Sequence, residues 1–309
     1  MPNISPIPRL TIVVPVTEDL QSFETSLISV LEHQPSGCEV IVAHDGTYED
    51  PFELGDEVRF VSADSAELLE LISACASAAR GRFVHVLSGG FKATEGWVDA
   101  ALEKFEHHDV AAIAAVVRQE QTGRIVGAGW FDGASRLCQP AGVSQTKLSR
   151  QEIAKIDGVF VEASFWRRES LRNVCHCYRG NSLLEFSYTA GLALSQAGWR
   201  CVTAEQCSLV SDQDHTAWND ASFRRGKRLW AIRQTACKDR SGFRDGLRGM
   251  LANLGRPSRL RESIGMMTGG SAIAEMKRRV HLDEVKSIDQ CESVLPLPNR
   301  SFTPSRRAA

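Results

Sequence analysis

Three short polar clusters interrupt otherwise apolar stretches of this 309-residue chain. His44-Asp45-Gly46-Thr47 places a carboxylate on a turn directly after an apolar run. Ser88-Gly89-Gly90 follows another such run and offers only a hydroxyl and bare backbone. Asp212-Gln213-Asp214-His215 sets two carboxylates beside an imidazole. That donor set suits a divalent cation, and a solvated polar loop would look the same. Cys175-His176-Cys177 with Cys201 and Cys207 gathers further metal-type donors, but the spacing fits no zinc finger. Nine cysteines without regular spacing and without an export signal read as free, mostly buried thiols.

The elements around these clusters follow from hydrophobic periodicity. Leu10–Val16 is β-branched and almost continuously apolar, as in a strand buried on both faces. Leu20, Phe23, Leu27 and Leu31 recur at helical spacing. Strands are expected at Cys38–Ala43, Val58–Ser62, Phe83–Leu87 and Val110–Val117, with helices at Ala66–Ala79 and Trp97–Phe105 between them. Further on, Gly158–Phe165 reads as a strand, Ser182–Gln196 as a helix and Gly198–Thr203 as the turn into a last strand. Alternating strands and helices indicate βαβ units on a parallel sheet, with ligands bound beyond the carboxyl ends of its strands. One crevice would therefore collect Pro15–Thr17, His44–Thr47 and Ser88–Gly90.

Composition is that of an ordinary globular protein, 43% hydrophobic and 24% charged. No apolar run reaches the roughly 20 residues that a membrane helix needs. The expected location is cytoplasmic. The net charge of −2 conceals an asymmetry. Between Arg224 and Arg279 there are 15 Lys/Arg against 4 Asp/Glu, while residues 1–223 carry −13. An acidic body followed by a basic, helix-patterned segment suggests regions with different tasks.

Six segments in register resemble family 2 glycosyltransferases over about residues 10–210: the opening strand, the turn His44–Thr47, Ala79-Arg80-Gly81, Glu95-Gly96-Trp97, Gly158 to Phe165-Trp166-Arg167-Arg168-Glu169, and Leu194–Arg200. The resemblance implies an α/β GT-A fold, Rossmann-like, with a mostly parallel central sheet flanked by helices and here a C-terminal helical extension. It implies residues 1–215 as the transferase-like domain; the charge and helical pattern make 216–292 a basic extension, and the proline-rich polar end makes 293–309 an expected disordered tail. It also implies a nucleotide-sugar donor at Pro15, Thr17, His44, Asp45, Ser88, Gly89 and Gly90, with Trp166, Arg167 and Arg168 on the acceptor side.

The same register shows what is missing. The family's metal-binding Asp-x-Asp falls on Ser88-Gly89-Gly90, which cannot supply a carboxylate to Mg²⁺ or Mn²⁺. A diphosphate-facing Arg-Asn pair falls on Ile72-Ser73, and the catalytic acidic pair on Phe186-Ser187. Glu185 stands one residue early, about 100° away around a helix. Asp212, Asp214 and His215 form the replacement metal set. Two readings follow. In one the chain transfers sugar from a nucleotide donor to a glycan or lipid-linked acceptor, with Glu185 as general base, in polysaccharide or glycoconjugate assembly. In the other it is a non-catalytic relative binding a glycan, nucleotide or partner.

In the extension, Phe223–Trp230 interleaves cationic and apolar positions. Trp218, Leu229, Trp230 and Ile232 would dock on the body, and the basic face of 218–280 would meet anionic lipid peripherally. No specific nucleic-acid partner is expected.

Overall fold

A computed structural model describes residues 8–287, apart from 134, 151–152, 154–155, 213–215 and 238–241. Leu10–Pro15 (β1), Glu39–His44 (β2), Arg59–Ser62 (β3) and Phe83–Leu87 (β4) pair in parallel in the order β3-β2-β1-β4. Leu20–Glu32 (α1) connects β1 to β2, and Leu68–Ala78 (α2) connects β3 to β4. These crossovers run in opposite directions, so right-handed connections put the two helices on opposite faces of the sheet. Gly81 enters β4 against β1, where a Cβ would lie 2.6 Å from the Thr11 backbone nitrogen. Only glycine permits that approach.

Beyond β4 the sheet changes character. Phe91–Lys92 (β5) and Asp99–Lys104 (α3) lead into Val110–Gln119 (β6), Ile125–Gly127 (β7) and the small pair Trp130–Phe131 (β8) and Gln139–Pro140 (β9). Ala163–Arg167 (β10) inserts antiparallel between β4 and β6. After Arg168–Cys175 (α4) and Leu183–Gln196 (α5), Arg200–Ser211 (β11) runs parallel to β6 and antiparallel to β5. The sheet is thus mixed, where periodicity led us to expect a mostly parallel one. The strand expected at Gly158–Phe165 forms later, because its first residues bond outside the main ladder: Gly158 bridges Trp130, and the Val161 N–H donates to Ser187 Oγ at 3.0 Å.

The C-terminal helices are Thr216–Asn219 (α6), Phe223–Ala236 (α7), Gly242–Ala252 (α8), Pro257–Met267 (α9) and Ile273–Arg279 (α10). The helix-patterned basic segment is interrupted at Thr268-Gly269-Gly270, where a short 3₁₀ turn begins. Trp218, Leu229 and Ile232 are buried as expected and Trp230 is half-buried.

The helices are tied down by buried ions. Glu262 accepts from Arg136 Nε at 3.0 Å and from Arg225, and all three are almost fully buried. Arg136 further donates to the Asn219 and Asp220 carbonyls at 3.0 and 2.6 Å. Arg225 donates to the Cys138 carbonyl at 2.7 Å. The charge of each guanidinium is thereby met by the Glu262 carboxylate, as burial demands. Among the described residues no helix is long and apolar enough to cross a membrane.

Candidate functional site

The carboxyl ends of β1, β2 and β4 carry the residues expected to meet a donor. Pro15 ends β1, and the Val16 N–H donates to the Ala43 carbonyl at 2.8 Å, joining the β1 and β2 ends. At the end of β2, Asp45 Oδ1 accepts from the Thr47 N–H at 3.0 Å and from its hydroxyl at 2.6 Å. The Thr47 hydroxyl, then its N–H, hold the Asp45 carboxyl below its usual pKa, so it is an anion. His44 Nδ1 accepts from the Gly46 N–H at 3.0 Å, which leaves the other ring nitrogen to carry the proton. Beneath this turn His44, Tyr48, Phe60 and Phe23 form an aromatic cluster, with Tyr48 stacked on Phe60 at 6.2 Å. The Tyr48 hydroxyl is buried without a hydrogen-bond partner. Sequence reading passed over Tyr48; its aromatic ring just past a ligand-side turn was the signal.

Ser88-Gly89-Gly90 is held as closed backbone. The Gly90 N–H donates to Ser26 Oγ at 3.1 Å, and the Ser211 hydroxyl donates to the Gly90 carbonyl at 2.9 Å. Gly89 lies under Thr17, whose Oγ1 would be 3.0 Å from an added Cβ. Ser88 is 4% exposed, and its Oγ has no hydrogen-bond partner. The turn presents no carboxylate, so it does not fit a hard divalent ion.

A different carboxyl group stands at this end of the sheet. Ala163 pairs with Leu87, which sets Glu162 opposite Ser88, and the Ser88 N–H donates to the Glu162 carbonyl at 3.0 Å. Glu162 Oε1 accepts from Trp218 Nε1 at 3.2 Å, while Oε2 is buried with no partner. Burial pushes the Glu162 carboxyl above its usual pKa. Trp218 is stacked between Phe160, at 4.3 Å and 7°, and Phe91, at 5.5 Å and 21°. Sequence reading missed Glu162. A lone acid in the apolar run Val159–Trp166 was its only signal.

Glu185 is drawn away from this cluster. It accepts from the Tyr178 hydroxyl at 2.6 Å and from Arg228 at 2.8 Å, on the side of α5 that faces α7. Ser187, at the expected base position, instead faces Val161. The two-residue step from Glu185 to Ser187, about 200° around the helix, thus sends the two side chains to opposite sides.

Trp166, Arg167 and Arg168 sit at the opposite edge. Arg167 pairs with Phe83 at the start of β4, and its guanidinium donates to the Val110, Phe105 and His107 carbonyls at 2.7–3.0 Å. Trp166 is buried, and Arg168 donates to the Ala79 carbonyl at 3.2 Å. Asp212 lies 3.8 Å from Lys92 Nζ and is half exposed. Asp214 and His215 fall outside the described residues, and among the described residues no three His, Cys, Asp or Glu side chains converge as metal ligands. Cys175 and Cys177 are free thiols, raised above their usual pKa by burial.

No family model and no curated protein matches the chain by sequence. Solved structures do match by shape. One is a mannosyltransferase, PcManGT from Pyrobaculum calidifontis, determined with GDP-Man and Mn²⁺: TM-score 0.51, 15% identity, 86% of this chain and 75% of that one. Another is GalNAc-T7 with UDP, GalNAc and Mn²⁺: TM-score 0.54, 13% identity, 88% of this chain but only 57% of that one. The fold is that of the GT-A glycosyltransferases. At these identities the likeness concerns architecture, and the chemistry must be argued from this chain's own residues.

Proposed function

We propose that this GT-A protein binds a nucleoside-diphosphate sugar at the carboxyl ends of β1, β2 and β4 and transfers the sugar to a hydroxyl of a glycan or lipid-linked acceptor. Asp45 would accept a ring N–H of the base, and Glu162 would serve as the general base. The observation that carries this reading is Glu162: a buried carboxyl opposite Ser88 with one oxygen unspent. A carboxyl whose pKa is raised by burial is, once ionised, a stronger acceptor for the proton of an acceptor hydroxyl. In its ionised form it would receive that proton as the acceptor oxygen bonds to the anomeric carbon. The bond from that carbon to the diphosphate oxygen breaks, and the nucleoside diphosphate leaves with the electron pair.

Because Ser88-Gly89-Gly90 supplies no carboxylate, donor binding at that turn is proposed to need no metal. Asp212 with Asp214 and His215 remains the set to which a Mn²⁺ effect would point. Glu185, fixed by Tyr178 and Arg228, is proposed as a positioning group for α7. Contact of the basic 218–280 face with anionic lipid would bring a lipid-linked acceptor close, and co-sedimentation with anionic vesicles at low and high salt tests it.

Trp218, wedged between Phe91 and Phe160 over Glu162, favours a second reading: a non-catalytic relative that binds nucleotide behind a closed acceptor side. Calorimetry with UDP and GDP, in EDTA and then with Mn²⁺, separates these readings when combined with a donor-hydrolysis assay. Binding in EDTA, with turnover lost in Glu162→Gln, supports the transferase. Binding without turnover in the wild type selects the second reading. Absence of binding to either nucleotide overturns both.

A further inference from the structure

We infer that the cavity between the starts of α5 and α7 is a second binding site, for a phosphate-bearing ligand. The cavity measures about 560 Å³ and is lined by four arginines (Arg224, Arg225, Arg228, Arg279) against two carboxylates (Glu185, Asp220), with Ser182 and Ser222 at its helix ends. Such a volume suits a small organic molecule rather than a bare ion.

Two features converge on it. Ser182 and Ser222 are the N-caps of two 14-residue helices, each accepting a backbone N–H from its own first turn. Two positive helix ends therefore face one space, the arrangement that favours an anion. Around them stand four guanidinium groups.

Their charges are unequally met. Arg228 pairs with Glu185 and Glu275, and Arg279 pairs with Glu275 at 3.0 Å. Arg225 is bound to Glu262, yet its Nε–H is buried with no acceptor. Arg224 is exposed and makes no ion pair or side-chain hydrogen bond among the described residues. It also sits in the first turn of α7, where a cation opposes the helix's own positive end. That placement is unfavourable in an empty cavity and favourable beside a bound anion. Planar guanidinium groups match tetrahedral oxyanions through paired hydrogen bonds, which points to phosphate. The site is distinct from the Ser88–Gly90 crevice and does not rest on the donor reading.

The test is calorimetric titration of the full chain with pyrophosphate and inorganic phosphate at low salt. The wild type is expected to bind pyrophosphate more tightly than phosphate. Arg224→Gln should weaken pyrophosphate by roughly tenfold, the worth of one charge-assisted contact. Adding Arg279→Gln should weaken it further. Because Arg224 lines this cavity and not the crevice, its effect on pyrophosphate separates the two sites. No pyrophosphate binding to wild type, or equal affinity in the Arg224→Gln variant with its fold intact by circular dichroism, would overturn the inference. Vesicles containing phosphatidylglycerol identify the source: displacement of pyrophosphate assigns a lipid headgroup, and indifference assigns a free phosphorylated molecule.

Discussion

Replacing His85 by phenylalanine should flatten the acid sensitivity of the fold. His85 lies in the middle of β4, opposite Ile12 on β1 and Phe165 on β10, and is fully buried. Its ring meets Trp97 at 4.7 Å and Phe165 at 3.9 Å. Burial drives its pKa down from 6.5 to about 3, so the folded protein keeps the imidazole neutral. In the unfolded chain the same ring titrates near 6.5. The unfolded state therefore takes up a proton first. The stability this group provides is complete above about pH 6.5 and drains away as pH falls toward 3. At 1.36 kcal/mol per unit, with the curve rounded near 6.5, the loss between pH 7 and pH 5 is about 2 kcal/mol. Urea unfolding of wild type and His85→Phe at both pH values measures it. Any packing change shifts the variant equally at both pH values, so only the difference in slope matters. The variant should lose about 2 kcal/mol less than wild type on acidification. Equal losses in the two proteins would refute a neutral, buried His85.

Other perturbations test the packing of the C-terminal helices and the crevice. Glu262→Ala leaves Arg136 and Arg225 buried without their carboxylate and should cost about 3–5 kcal/mol in chemical denaturation. Gly226→Ala would place a Cβ 2.0 Å from the Glu262 carbonyl and force α7 from α9, a loss of about 1–3 kcal/mol visible as a lower melting temperature. Trp218→Ala removes the ring between Phe91 and Phe160 and should destabilise by about 3–5 kcal/mol. Cys75, Cys138, Cys177 and Cys207 are buried with raised pKa values, so iodoacetamide should label them only after denaturation.

The strands β1 to β4 were legible because each is a short apolar run closed by Gly, Pro or a polar turn. Buried parallel strands must look that way. The antiparallel insertion of β10 was not legible, since an apolar run shows burial but not direction or partner. The expected strand start at Gly158 failed for the same reason: residues 159–161 are apolar because they are buried, while the hydrogen bonds of Gly158 and Val161 go to Trp130 and Ser187. Trp218, Leu229 and Ile232 were readable as a docking stripe. Their anchor was not, because Arg136 and Glu262 stand 126 residues apart.

Alternation of strand and helix, the carboxylate at Asp45 and the absence of acids at Ser88-Gly89-Gly90 are properties of the sequence alone. They depend on residue type and local spacing, which the chain carries wherever it folds. The cluster of Glu162 with Ser88 and Trp218, the turning of Glu185 toward Arg228, and the meeting of two helix ends around Arg224 belong to the tertiary structure. Each depends on which side chains strand pairing and helix rotation bring face to face, and on α5 the two-residue step from Ser187 back to Glu185 sends the acid to the other side.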